Sequence, residues 1–331
     1  MTATAVAHGA APPTSSPMTS HATAELPAAT PGSASTVTID QRKVICSGRW
    51  LRMARVFDEP WLDLPPISNP DAFVIMMGDA GMKSDIFTFA QRLPETTPEF
   101  DAEFLDWDNV AVAPSSDFKA WWDSLPQESR KNVRRSQKRG VSVRPVEFSD
   151  DLVRGIKALY DETPFRQGRR FWHYGKDFET VKRENSSYLE RSQFIGAYLN
   201  DELIGFIKMV IVGSTARIMQ ILSRNEHFDK FPANALLAAA MEACAKRHID
   251  HFIYGQYIYG NKSNSSITEF KRRNGFKQVL LPRFYIPITA TGRAALALGL
   301  HRGISAMLPE KAITFLLDTR SFVYERFSRR A

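Results

Sequence analysis

The sequence predicts an α/β (α+β) fold, a mixed sheet flanked by helices. Three observations carry that expectation. First, residues 193–199, 203–212 and 217–223 are apolar, β-rich runs. Asn200-Asp201 and Gly213-Ser214 separate them, and polar pairs of this kind mark hairpins. Second, Pro232 opens a helix that runs to His248. Its Ala233, Leu236, Leu237, Ala240, Met241, Cys244 and His248 recur at the three-and-four spacing of one face. Ala238, Ala239 and Ala245 on the far side predict cover from more than one direction. Third, that helix crosses to a further strand at 251–256, and such a crossover implies parallel strands.

From the amino terminus, residues 1–39 are rich in Ala, Pro, Ser and Thr, with no Lys or Arg. Such a segment buries too little surface to offset its ordering entropy, so a disordered tail is expected. It lacks the features of a signal or transit peptide. Residues 44–57 and 72–77 read as strands, 81–91 as a helix and 104–112 as a strand. Asp117 caps a short helix to residue 125, where Phe118, Trp121, Trp122 and Leu125 share a face. A basic helix follows from Pro126, with cations on all faces, and Gly140 ends it. Residues 141–146 form a strand. Ser149 or Asp150 caps a helix at 151–162 with the stripe Leu152, Ile156, Leu159 and Tyr160. A further helix covers 176–191. After 251–256 come a helix at 264–273, a glycine stop at Gly275 and a strand reaching Pro287. Residues 289–331 read as two helices split near Pro309.

The net charge is +7, and the excess is local: residues 130–144 hold seven cations and no acid. Cys46 and Cys244 are the only cysteines, which argues for a reducing, cytoplasmic setting and against a disulfide scaffold. Neither metal-ligand spacing nor a Ser/His/Asp or Cys/His arrangement stands out, so no metal and no covalent enzyme intermediate are expected.

From residue 141 the order is strand, helix, helix, hairpin, strand, helix, strand, helix, strand. With FKRRNGF at 270–276 and the strand ending Tyr285-Ile286-Pro287, it resembles the GNAT acyltransferase fold. RKNVRRSQKRGVSV at 130–143 and Lys271, four residues before a glycine, look like the Fem-type (FemABX-like) branch of tandem GNAT-like lobes. The resemblance spans about residues 45–288. It implies an incomplete first lobe at 40–140, an acyltransferase lobe at 141–288 and basic amphipathic helices at 289–331.

It also implies a function: transfer of an acyl or aminoacyl group from acyl-CoA (acetyl-CoA) or aminoacyl-tRNA to an amine, by direct attack. Lys271 would polarise the acyl carbonyl or hold a phosphate; of Tyr254, Tyr257 and Tyr259 at the end of the penultimate strand, Tyr254 packs mid-strand and Tyr257 would orient or protonate a leaving group. GNAT members seat a pyrophosphate on glycine-freed amides before the long helix. Here that stretch is FDKFPA, 228–233, with Phe231 and Ala233 at glycine positions and Pro232 removing a donor. Lys230 and the remaining amides, including that of Asn234, would hold a phosphate. Asn264 would cap the next helix or touch the acyl carrier.

Acceptor binding falls to residues 163–174. Arg166, Arg169 and Arg170 suit a carboxylate or phosphate, Trp172 and Tyr174 a ring face, and His173 a base or hydrogen-bonding role. Arg130, Arg134, Arg135 and Lys138 admit three roles: a solvated surface, a phosphate site or a tRNA face. Residues 309–330 form a basic amphipathic segment that packs on its own lobe or touches an anionic membrane. The alternative to an enzyme is a non-catalytic RNA- or envelope-associated binding protein on the same fold.

Overall fold

A computed structural model of the protein describes residues 35–166, 169–259 and 265–302. The first half contains β1 (Ser35–Ile39), β2 (Arg42–Ser47), β3 (Met53–Val56), α1 (Pro70–Asp79), β4 (Ile86–Ala90), β5 (Phe104–Pro114), α2 (Phe118–Ser124) and α3 (Gln127–Lys138). There follow β6 (Ser142–Val146), α4 (Asp150–Tyr160), the short pair β7 (Phe165–Arg166) and β8 (Arg169–Arg170), and α5 (Phe178–Asn185). The remainder is β9 (Ser192–Leu199), β10 (Glu202–Val212), β11 (Thr215–Ser223), α6 (Pro232–Lys246), β12 (His251–Gln256), α7 (Ser266–Arg273), β13 (Lys277–Pro287) and α8 (Ala290–Ala297).

All strands but β7 and β8 share one mixed sheet, in the order β1-β2-β3-β4-β13-β5-β12-β11-β10-β9-β6. Its two halves repeat one plan. β1, β2 and β3 form an antiparallel meander, α1 crosses over, and β4 lies parallel to β3. β9, β10 and β11 form the second meander, α6 crosses over, and β12 lies parallel to β11. The closing strands are exchanged: β13 pairs with β4 and β5, and β5 pairs with β13 and β12.

Adjacent strand residues face opposite sides. Ile195 and Ile207 join the core under α2, α3, α6 and α7, whereas Phe194 and Phe206 pack with α4 and α5. α6 is buried along 234–238, the multi-sided cover its alanines predict. Gly275, at φ 82°, ends α7 so tightly that a Cβ would stand 2.8 Å from Trp121 Nε1. That indole donates to the Asn274 carbonyl at 3.2 Å and ties α2 to α7.

Several elements differ from the sequence-based expectation. Residues 72–77 are helix, not strand: an apolar run cannot be typed by periodicity alone, and Asn69 caps Ala72 N with Pro70 in the first turn. Residues 81–91 hold strand β4 rather than a helix, because Ile86, Phe87 and Phe89 are needed inside the sheet. Residues 44–57 split into β2 and β3, and 176–191 shorten to α5, capped by Asp177. Ser35–Ile39 belongs to the sheet, so the tail boundary at 39 is five residues too late. α3 carries a buried stripe, Ser129, Val133 and Ser136, so its cations do not cover all faces. Residues 1–34 and 309–330 lie outside the described residues. Among those described, no helix is long and apolar enough to cross a membrane.

Because β13 is the only link between β4 and β5, the two halves should unfold together. We expect near-UV and far-UV circular dichroism to follow one denaturant curve, and a chain cut after residue 276 to lose cooperative unfolding altogether.

Candidate active site in the gap between two parallel strands

β11 and β12 pair only from Thr215↔His251 to Arg217↔Ile253. Beyond that point each strand carries an irregularity. In β11, Lys208↔Gln220 is followed by Met209↔Ile218, which leaves Met219 as an extra residue. In β12 the register shifts between Ile253 and Gln256, where Gly255 takes φ 55°. Bulges bend and twist a strand, and here they splay the neighbouring strands into a gap.

Lys271 lies at this gap. Ser265 caps α7, Ile267 and Phe270 bury one face, and Lys271 is buried with them at 0% exposure. Arg272 and Arg273 are exposed and both pair with Glu269, so the basic run divides into one buried amine and two surface cations. The Lys271 amine donates to the Gln256 carbonyl and lies 4.6 Å from the Tyr254 ring centroid and 4.4 Å from that of Tyr259. Burial pulls its pKa down to about 7.

Tyr254 packs in the core against Phe276. Tyr257 is half-buried on that same core, its carbonyl accepting from Thr268 Oγ1 at 3.3 Å. The tyrosine at the strand end that reaches the amine is therefore Tyr259. Burial raises its pKa to about 12, opposed by a hydrogen bond with the Gln256 backbone and by the charge of Arg217. Arg217 is the last paired residue of β11, its guanidinium 5.8 Å from the Trp61 ring centroid. Sequence reasoning groups Tyr259 with Tyr254 and Tyr257 at this strand end but gives the role to Tyr257, and it does not select Arg217. The signal for Arg217 is a lone charge in an otherwise uncharged strand.

The loop before α6 is occupied by the protein's own groups. Glu162 Oε1 accepts the amides of Asn225 at 2.6 Å and Glu226 at 3.2 Å, and its Oε2 pairs with Arg166 at 2.7 Å. Phe231 takes the left-handed conformation, φ 54° and ψ 41°, a position glycine fills at no steric cost. For a bulky residue that costs about 1–2 kcal/mol. Arg139 holds it there, lying 5.6 Å from the Phe231 ring and donating to the Asp229 carbonyl. Lys230 pairs with Asp229 at 3.4 Å, Ala233 is half-buried, and Asn234 turns inward to donate to Asn274 Oδ1 at 3.0 Å. Asn264 lies outside the described residues. With two amides taken by a carboxylate and Pro232 lacking one, this loop fits a CoA pyrophosphate poorly.

The acceptor-loop residues fall into two groups. Arg166 is buried, and its guanidinium also reaches the carbonyls of Ser223 at 3.1 Å and Leu159 at 3.3 Å. His173 stacks on Tyr160 at 4.4 Å between centroids, and burial together with Lys176 holds its pKa down at about 3, so it is neutral. Arg169, Arg170, Trp172 and Tyr174 are exposed, with Lys176 5.1 Å from the Trp172 ring. On α3, Arg134 and Lys138 are exposed, Arg130 is half-buried, and Arg135 pairs with Glu128. Among the described residues no group of His, Cys, Asp or Glu is placed to hold a metal ion.

Comparison with solved structures supports a fold of tandem halves. The crystal structure of FemX superposes with a TM-score of 0.50 at 11% identity, over 76% of this chain and 87% of that one. The chain has a Fem-like tandem GNAT fold. A conserved protein of unknown function from Bacteroides thetaiotaomicron matches equally, with a TM-score of 0.50 at 11% identity over 77% of this chain and 86% of that one. The C-terminal domain of a putative lysylphosphatidylglycerol synthetase from Agrobacterium fabrum reaches 0.49 at 14% identity, over 81% and 89%. No family model and no curated protein matches the sequence. At these identities the Fem-like likeness is one of fold.

The Glu162–Arg166 pair is buried on both sides, with side chains 13% and 6% exposed. Glu162→Gln removes the carboxylate that faces this buried guanidinium and should cost about 3–5 kcal/mol, measured by urea denaturation.

Proposed function

We propose that the protein transfers an acyl or aminoacyl group from an ester or thioester donor to an amine, by direct attack in the gap between β11 and β12. The observation that carries this reading is Lys271, an amine buried beside a strand bulge and ionising near neutrality. An amine nucleophile must shed a proton as it attacks a carbonyl. A base with a pKa near the working pH is best matched to take it, better than a permanent cation would be. Lys271 Nζ accepts that proton. Tyr259, whose hydroxyl stays protonated at neutral pH, gives one to the departing oxygen or sulfur. The bond formed is the amide, the bond broken is the ester or thioester, and no enzyme-bound acyl group intervenes.

The occupied loop before α6 favours a donor that needs no pyrophosphate seat there, hence an aminoacyl ester over acyl-CoA. The cations of α3 would face the polyanionic carrier of such an ester. A non-catalytic binding protein on this fold would instead retain charged tRNA and transfer nothing.

Incubation with tRNA bearing a labelled amino acid, and separately with labelled acetyl-CoA, in the presence of candidate amines, tests the proposal. Label should move from tRNA to an amine product and not from acetyl-CoA; retention of the aminoacyl ester with every amine tried would favour the binder. In single-turnover measurements Lys271→Met should lose roughly a hundredfold in rate. The parent's rate should rise with pH through about 7, an inflection absent from the variant.

The same lowered pKa has a stability consequence. The folded protein binds fewer protons than the unfolded chain between about 7 and the ordinary lysine value, so its stability rises with pH across that window. Thermal melts at pH 7 and pH 9.5 should show that gain in the parent and not in Lys271→Met.

A further inference from the structure

Around Arg217 the charges do not balance. With Asp63 and Arg42 beside Arg92, four guanidiniums, Arg42, Arg92, Arg217 and Arg283, share this region with three carboxylates, Glu59, Asp63 and Asp108. Two of these carboxylates are committed to Arg283, Asp108 at 2.8 Å and Glu59 at 3.2 Å. Arg92 spends its fork on the carbonyls of Leu62, Leu64 and Glu59. The Arg217 guanidinium makes no hydrogen bond or ion pair with any described side chain; the Trp61 ring centroid lies 5.8 Å away, and Asp108 and Glu59 act on it only as more distant charges. That ring is held in place from the second half of the chain, where Arg191 donates to the Trp61 carbonyl at 2.9 Å and Tyr188 donates to Asp58 at 2.5 Å. Burial without a partner also weakens the hold of Arg217 on its proton, down to about 10. The residue is half-buried, so its guanidinium is not sealed from solvent.

A half-buried guanidinium beside an aromatic ring still seeks an anion, and its planar fork matches a carboxylate or a phosphate with two parallel hydrogen bonds. We infer that Arg217 is the oxyanion receptor of the gap, binding a carboxylate or phosphoryl group of the substrate while its aliphatic stem and guanidinium lie on Trp61. This deepens the transfer reading and rests on it for the word substrate; the anion site itself does not depend on catalysis. The site would make the enzyme selective for acceptors or donors carrying a negative group at a set distance from the reacting carbonyl. The charge of Arg217 favours ionisation of Tyr259, so an anion seated on it would offset that pull and help keep the hydroxyl protonated.

The experiment uses the full chain, with inorganic phosphate and acetate as probes against chloride at matched ionic strength. Bound anion should raise the melting temperature of the parent by about 2–4 °C. Arg217→Gln should lose the response while melting no lower than the parent in chloride, because it removes a half-buried charge that makes no ion pair with the described residues. Arg217→Lys should keep a weaker response. A response to phosphate alone assigns a phosphoryl group, and a response to acetate as well assigns a carboxylate; either supports the site. An equal response in Arg217→Gln, no response in the parent, or a glutamine variant that fails to fold overturns it. A protein that binds phosphate through Arg217 yet transfers nothing would sink the transfer reading and leave this site standing.

Discussion

The exchange of β5 and β13 is the constraint on which the rest of this structure depends. Each strand closes the sheet of the other half, so neither half has a complete set of backbone partners alone. A strand edge inside a protein must be paired or covered, since unpaired amides and carbonyls are costly to bury. Nine residue pairs join β13 to β5, from Lys277↔Val112 to Tyr285↔Phe104. They fix β12 against β5, and with it the side of the gap that carries Gln256. The position of Lys271 is therefore set by strands from both ends of the chain.

The gap itself is a compromise between sheet pairing and chemistry. Parallel strands that stayed in register would satisfy Tyr254–Gln256 and Ile218–Gln220 against each other. Instead the Gly255 bulge turns the Gln256 carbonyl toward an amine. Two cations then stand at one opening, Lys271 at the face covered by α7 and Arg217 at the face covered by Trp61. Both carry lowered pKa values chiefly through desolvation, which the charges of Asp108 and Glu59 only partly offset at Arg217. Unpaired buried charge is destabilising, and proteins keep it chiefly where ligand or chemistry repays the cost.

Much of the second half was legible in the sequence and less of the first. The hairpins at 193–223, the helix opened by Pro232 and the strand at 251–256 announce themselves through turn pairs, a helix-start residue and clear periodicity. The first half misled because apolar runs such as AFVIMM and IFTFA fit helix and strand alike, and only the Asn69-Pro70 cap separated them. Strand exchange left no local trace, since it depends on pairing across more than 160 residues. Lys271 could be marked by its place before Gly275, but its burial could not, because Arg272 and Arg273 beside it are surface residues. Tyr259 and Tyr257 are two residues apart past a bulge, where strand alternation no longer tells which ring faces inward.

The loop before α6 shows how a fold can keep a backbone shape after the residues that explain it are gone. Phe231 holds the left-handed conformation that glycine would adopt freely, at a cost offset by Arg139 stacking on its ring and bonding at Asp229. The amides of Asn225 and Glu226 point where an anion is welcome, and Glu162 supplies one from within the chain. Arg166 then neutralises that carboxylate and bridges to the end of β11. An external phosphate would have to displace a covalently tethered, already neutralised carboxylate, which enters that competition with its translational entropy spent. Charge-assisted bonds of this kind rigidify the rim of the gap while closing one anion seat. The anion seat that stays open is Arg217, on the other side of the same strand.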